Sequence, residues 1–117
     1  MTRQDLSLSI RINLGHGGRF GPGKASLLAA IDEAGSISKA ASGLGMSYPR
    51  ALKLIEDMNR DFAEPLVKST HGGTERGGSE VTETGHQVLA LYHSVNEASL
   101  SSSMTALKKL MALERDD

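Results

Sequence analysis

Apolar and polar residues alternate along the start of the chain, with Leu6, Leu8, Ile10, Ile12 and Leu14 separated by Ser7, Ser9, Arg11 and Asn13. A period of two is the pattern of a half-buried strand, so a strand is expected over residues 6–14. A glycine-rich stretch from Gly15 to Gly23 reads as a loop. Pro22 suits the first turn of a helix, where a missing N–H costs nothing. Leu27, Leu28 and Ile31 then give a helical stripe that runs to Gly35. Ser36 is placed to cap a short helix through Ile37, Ala40, Ala41 and Leu44, which Gly45 interrupts. Ser47 caps the next helix, with Pro49 in its first turn. Ala51, Leu54, Ile55, Met58 and Phe62 fall on one side of it, and Pro49, Lys53, Glu56 and Arg60 on the other.

Beyond Pro65 the pattern changes. Leu66-Val67-Lys68 and Glu80-Val81-Thr82 read as two short partner strands, and Ser69 to Ser79 between them as a mobile glycine-rich loop. Thr82 caps a last long helix carrying Val88, Leu91, Tyr92, Val95, Met104, Leu107 and Met111. Serines at 99 and 101–103 weaken that helix, leaving open a bend or break there. The expected fold is mainly α with a small β component, arranged as one winged helix-turn-helix domain over 1–117. Its parts are a strand at 6–14, helices within 22–62 with the helix-turn-helix at 36–62, a wing at 66–82 and a C-terminal helix at 83–113.

Composition narrows the function classes. The 117 residues suit one domain, and with only 3% aromatic residues the core must be built from Leu, Ile, Val, Ala and Met. With no cysteine, disulfide frameworks, thiolate zinc sites and cysteine nucleophiles are excluded together. No apolar run reaches the roughly 18–20 residues that span a bilayer. The polar opening, Met1-Thr2-Arg3-Gln4-Asp5, is unlike a signal peptide, so a cytoplasmic location is expected. The formal net charge of −1 counts against a diffusely basic nucleic-acid binder. Binding to a duplex therefore requires the cations to be gathered on one surface.

The order helix, glycine turn, amphipathic helix is that of a helix-turn-helix, and a two-stranded ribbon with a flexible polar tip directly after it is a wing. Ala40 and Ala41 supply the small residues needed where two helices cross. The candidate DNA-contacting residues follow from that arrangement. They are Ser36 and Ser38 on the first helix, Ser47 and Tyr48 at the entrance to the second, and Arg50 and Lys53 in its N-terminal half. Lys68, Thr70, His71 and Arg76 belong to the wing. Arg50 is expected at a base edge and Lys53 at a phosphate or base. The plainer alternatives stay open: a helical hairpin, a solvated helix face, a surface loop, and an i,i+4 pair between Lys53 and Asp57.

Other chemistry finds little support. Gly18-Arg-Phe-Gly-Pro-Gly23-Lys24 nearly spells a phosphate-binding loop, but Ala25 follows where a magnesium-holding hydroxyl is needed. His16, His71, His86 and His93 include no i,i+4 pair, and no nucleophile elbow or compact acid–base pair is visible. No enzyme, cofactor or metal is expected.

Gly35-Ser-Ile-Ser-Lys-Ala-Ala41, Gly45-Met-Ser-Tyr48, Pro65-Leu66, the doublets Gly72-Gly73 and Gly77-Gly78, and Thr82-Glu-Thr-Gly85 together resemble the N-terminal domain of the ModE-type molybdate-responsive transcription regulators. The LysR-type regulators carry a similar, more distant helix-turn-helix. The resemblance covers about residues 20–95. It implies a winged helix-turn-helix that dimerises through its terminal elements and binds a palindromic operator in double-stranded DNA. Two departures stand out. The family usually has a tryptophan in the recognition helix where this chain reads Ala51-Leu52, so base preference does not carry over. Full-length members continue into molybdate-binding domains, for which this chain shows no segment, so molybdate is not expected to bind it. The expectation is a homodimeric, sequence-specific transcription regulator; the alternative is a dimeric, non-enzymatic adaptor that uses the same fold to hold a protein.

Overall fold

A computed structural model describes residues 6–70 and 78–115. In chain order the elements are β1 (Ile12–Asn13), β2 (Arg19–Phe20), α1 (Pro22–Ala34), α2 (Ile37–Gly43), α3 (Tyr48–Asp61), β3 (Val67–Thr70), β4 (Gly78–Val81) and α4 (Glu83–Ala112). β1 pairs with β2 and β3 with β4, both antiparallel, as two separate ribbons. The architecture is mainly α, a winged helix-turn-helix followed by a long helix.

Local chemistry sets the helix boundaries. Pro22 opens α1, and Gly35 closes it in the left-handed conformation at φ 72°, its N–H donating to Ile31 O at 2.8 Å. The Ser36 and Ser47 hydroxyls accept from the backbone N–H of Lys39 at 3.0 Å and Arg50 at 3.2 Å, capping α2 and α3. Thr82 caps α4 through the Gly85 N–H at 2.9 Å and donates its own hydrogen to Pro65 O at 2.7 Å. One side chain thus ends the wing and starts the helix.

The core is continuous. Leu27, Leu28 and Ile31 of α1 meet Ala40 and Ala41 of α2, Ala51, Ile55 and Met58 of α3, and Leu66, Val67 and Val81 of the wing. Phe20 and Tyr92 close one side, with Phe20 edge-on to Phe62 at 6.2 Å and to Tyr92 at 5.2 Å. Two of the chain's few aromatic rings therefore anchor β2 to the helices.

Three features differ from the pattern read along the chain. Residues 6–14 are not one paired strand: only Ile12–Asn13 has a ladder partner. Leu6, Leu8 and Ile10 are nevertheless half-buried and Ser7, Ser9 and Arg11 exposed, so the alternation reports burial rather than pairing. Tyr92 donates its hydroxyl to Ile10 O, tying this segment to α4. Secondly, the glycine-rich stretch is not all loop. Leu14 N donates to Gly18 O at 2.7 Å and Gly17 turns at φ 99°, folding Arg19–Phe20 back as β2. Thirdly, the wing strands run from Val67 to Thr70 and Gly78 to Val81, with Val67 opposite Val81 and Thr70 opposite Gly78, so the ladder takes in residues read as loop at both ends. Of the loop expected between the strands, residues 71–77 lie outside the described residues.

α4 runs unbroken for 30 residues. The helix continues through the serine run, where the Ser103 hydroxyl donates to Ser99 O at 2.6 Å and is satisfied within the helix itself. At about 1.5 Å per residue such a helix is about 45 Å long, most of the molecule's 58 Å extent. Among the described residues no helix is long and apolar enough to cross a membrane.

Candidate nucleic-acid interface

The turn between α2 and α3 is built for a close crossing. Leu44 N donates to Ala40 O and Ala41 O, Gly45 adopts φ 67°, and Met46 N returns to Ala41 O at 2.9 Å. Ala40, Ala41 and Ala51 are buried at the crossing, where a larger side chain would push the helices apart. α3 consequently turns Ala51, Ile55 and Met58 inward and presents Pro49, Lys53, Glu56 and Arg60 to solvent. Tyr48 and Arg50 are exposed at its N-terminal end.

The wing is fastened to the flank of α3. Asn59 Oδ1 accepts from Leu66 N at 2.8 Å and Val67 N at 3.2 Å, while its Nδ2 donates to Val67 O at 3.1 Å. One amide side chain thus satisfies three backbone groups. On the other strand Ser79 N donates to Gly35 O at 3.0 Å, linking β4 to the junction of α1 and α2. The ribbon is held from two sides.

The charges on α3 are partly engaged with one another. Asp57 Oδ1 takes Lys53 Nζ at 3.1 Å and Arg60 Nη2 at 2.7 Å. The hydrogen bond from Lys53 first, and that from Arg60 next, hold the Asp57 carboxyl below the usual carboxylate range. The same contact raises Arg60 above its ordinary value. Lys53 therefore forms the i,i+4 pair that its spacing allows. Lys68 lies 3.5 Å from Glu80 across the wing. Arg50 makes no ion pair among the described residues.

Ser47, Tyr48, Arg50 and Lys53 thus share the N-terminal half of α3, Ser36 and Ser38 lie at the start of α2, and Lys68 and Thr70 lie on β3. The hydroxyl oxygens of Ser36 and Ser47 are already occupied as caps. His71 and Arg76 lie outside the described residues. Along the sequence Arg60 reads only as part of a polar helix face, and Asn59 carries no signal, because its partners lie beyond the end of its helix.

On the other flank of α3, away from Asn59, lies a cleft of about 670 Å³ between that helix and the β1–β2 hairpin. Arg11, His16, Arg19, Lys24, Arg50 and Arg60 line it, with Asp57 and Asp61. Lys24 donates to Arg19 O at 2.6 Å and lies 3.8 Å from Asp61. The residues that nearly spell a phosphate loop are the second hairpin strand and the first turn of α1. His86 pairs with Asp32 at 2.8 Å, and among the described residues no three potential metal ligands cluster.

A helix-turn-helix with a ribbon pinned behind its second helix defines a winged helix-turn-helix module. Residues 24–86, more than half of the chain, match the model of the bacterial regulatory helix-turn-helix proteins of the lysR family. The chain belongs to that family, one of transcription regulators rather than enzymes. It is similar to the molybdenum-pterin-binding protein MopB of Rhodobacter capsulatus, 36% identical over 98 residues, which are 84% of this chain and 36% of that protein. The molybdenum transport protein ModE of Azotobacter vinelandii is 39% identical over 69 residues, 59% of this chain and 26% of its own length. The DNA-binding transcriptional dual regulator ModE of Escherichia coli (strain K12) is 38% identical over 71 residues, 61% of this chain and 27% of its own. The chain spans between about a quarter and about a third of the length of these relatives.

Proposed function

We propose that this chain is a sequence-specific DNA-binding module of a transcription regulator, folded as one unit over residues 1–117 and working in the cytoplasm. α3 enters the major groove and the wing follows the adjacent backbone. The observation that carries this reading is the Asn59 bracket, which holds the wing at a set position beside a solvent-facing, capped α3. Arg50, exposed and without an ion pair, is the residue for a base edge, and Lys53 for a phosphate once Asp57 releases it. Ser36, Ser38, Ser47 and Tyr48 serve the backbone around the helix N-termini, where unpaired N–H groups favour phosphate. Lys68, Thr70, His71 and Arg76 serve it from the wing. The Escherichia coli relative's description as DNA-binding supports the same reading.

The module acts as a dimer through α4. Leu91, Val95 and Leu110 of α4 and Leu113 just beyond its end are 66%, 41%, 64% and 88% exposed, an unusual share of large apolar surface for one segment. Pairing with a second copy about a two-fold axis covers it and sets two copies of α3 against half-sites about one helical turn apart, or a multiple of it.

Selection of bound duplexes from a random library at two salt concentrations tests the whole reading. The expected result is a palindrome whose recovery falls steeply as salt rises. The net charge of −1 and the engagement of Lys53 and Lys68 with acids favour one other reading, an adaptor that holds a protein. Recovery of nothing at low salt selects it.

A further inference from the structure

We infer that the cleft between the β1–β2 hairpin and α3 is a phosphate-binding surface for a duplex backbone, a third contact on the side of α3 opposite the wing. The inference rests on the DNA-binding reading and adds to it a set of residues outside the helix-turn-helix and wing.

Charge placement carries the case. The whole chain is formally −1, yet this one cleft gathers Arg11, Arg19, Lys24, Arg50 and Arg60 against only two carboxylates. Those carboxylates are already engaged: Asp57 by Lys53 and Arg60, and Asp61 by Lys24, with Arg60 Nε 4.0 Å away. Arg11 and Arg19 line this cavity of about 670 Å³ beside Arg50. None of the three makes an ion pair among the described residues, so the two hairpin arginines remain available to a phosphate next to the base-reading end of α3. Guanidinium is the side chain best matched to phosphate, since its planar fork donates two parallel hydrogen bonds.

The hairpin is also held where such a contact needs it. Lys24 bonds Arg19 O, and the stem of Arg11 lies over Gly21, where an added Cβ would come 3.2 Å from Arg11 Cγ. Gly18 packs so closely on the Asp61 carboxylate that a side chain there would overlap it. The rim of the turn, Gly15 to Gly18, is bare of bulk apart from His16, which lets a backbone approach. Arg50 lies both on the exposed end of α3 and in the cleft lining, so a strand read by α3 passes the hairpin directly.

The test compares duplex binding by the full chain, the R11Q/R19Q variant and a K108Q/K109Q control that removes two exposed cations from the far end of α4. Glutamine keeps most of each stem, and unfolding curves check that the fold is intact. Each lost phosphate contact should lower the slope of log affinity against log salt by about 0.9. The expected result is a slope lowered by about one to two in R11Q/R19Q, with all sequences weakened alike, and an unchanged slope in the control. An unchanged slope in R11Q/R19Q, or an equal change in the control, overturns the inference and leaves the DNA-binding reading standing. Absence of duplex binding by the unaltered chain overturns both. Titration with inorganic phosphate, followed at the Gly18 and Arg19 amides, separates the remaining source. Tight saturation by free phosphate with duplex binding unaffected assigns the cleft to a small anion and overturns the duplex contact.

Discussion

Replacing Asn59 with Ala should unfasten the wing from α3. The side chain receives hydrogen bonds from Leu66 N at 2.8 Å and Val67 N at 3.2 Å and donates one to Val67 O at 3.1 Å. Alanine leaves two N–H groups and one carbonyl without that partner. Leu66 is fully buried and Val67 nearly so, which restricts replacement by water. A buried polar group left unsatisfied costs about 1–3 kcal/mol. Asn59 itself is only half-buried, so the three groups together should cost about 2–4 kcal/mol, toward the low end for each. That is a large part of the roughly 5–15 kcal/mol that stabilises a typical domain. Urea unfolding followed by circular dichroism reads the loss as a lower midpoint at unchanged slope, and hydrogen exchange at Leu66 and Val67 locates it. A change below about 0.5 kcal/mol, within the range of ordinary surface substitutions, would refute the reasoning. Retained protection of the two amides would do the same.

Gly85→Ala should destabilise the fold by about 1–3 kcal/mol through overpacking, because the new Cβ overlaps Leu66 O and Val81 Cγ1 and the former is backbone; a higher melting temperature, from the better helix former, would contradict this. Asp57→Asn frees Lys53 and Arg60 and removes a negative charge from α3. With about 1 kcal/mol between unit charges 4 Å apart in water, duplex affinity should rise about fivefold at low salt, and fluorescence anisotropy showing a loss would count against it. The lowered Asp57 pKa also sets a sign for acid unfolding: its contribution is present above the ordinary carboxylate value of about 3.9 and is lost as pH falls through the lower folded value, so in D57N unfolding below about pH 4 should be less steep in pH. Leu91→Glu with Val95→Glu should shift the chain from dimer to monomer in sedimentation at micromolar concentration; a dimer that persists places the interface elsewhere.

What the sequence determined by itself was whatever a few neighbouring residues settle among themselves. Ser36, Ser47 and Thr82 cap their helices through N–H groups three residues on, and Gly35 and Gly45 sit at turns of positive φ. The amphipathic face of α3 follows from a 3.6-residue period alone, and the pairing of Lys53 with Asp57 from a spacing of four. Only the tertiary structure decided the rest. The alternation at 6–14 specifies which side chains are buried but not which strand pairs with it, so the short β1–β2 hairpin was hidden inside a glycine-rich stretch. The serine run left a bend or break open because helix propensity is only a weak local preference, and α4 continues through it with the Ser103 hydroxyl satisfied at Ser99 O. Asn59 acts on residues seven and eight positions away, at the start of the wing, and the cleft draws Arg11 from the segment before β1, Arg19 from β2 and Arg50 from α3. No local pattern encodes such groupings, because side chains distant along the chain meet only where the core sets the elements against one another.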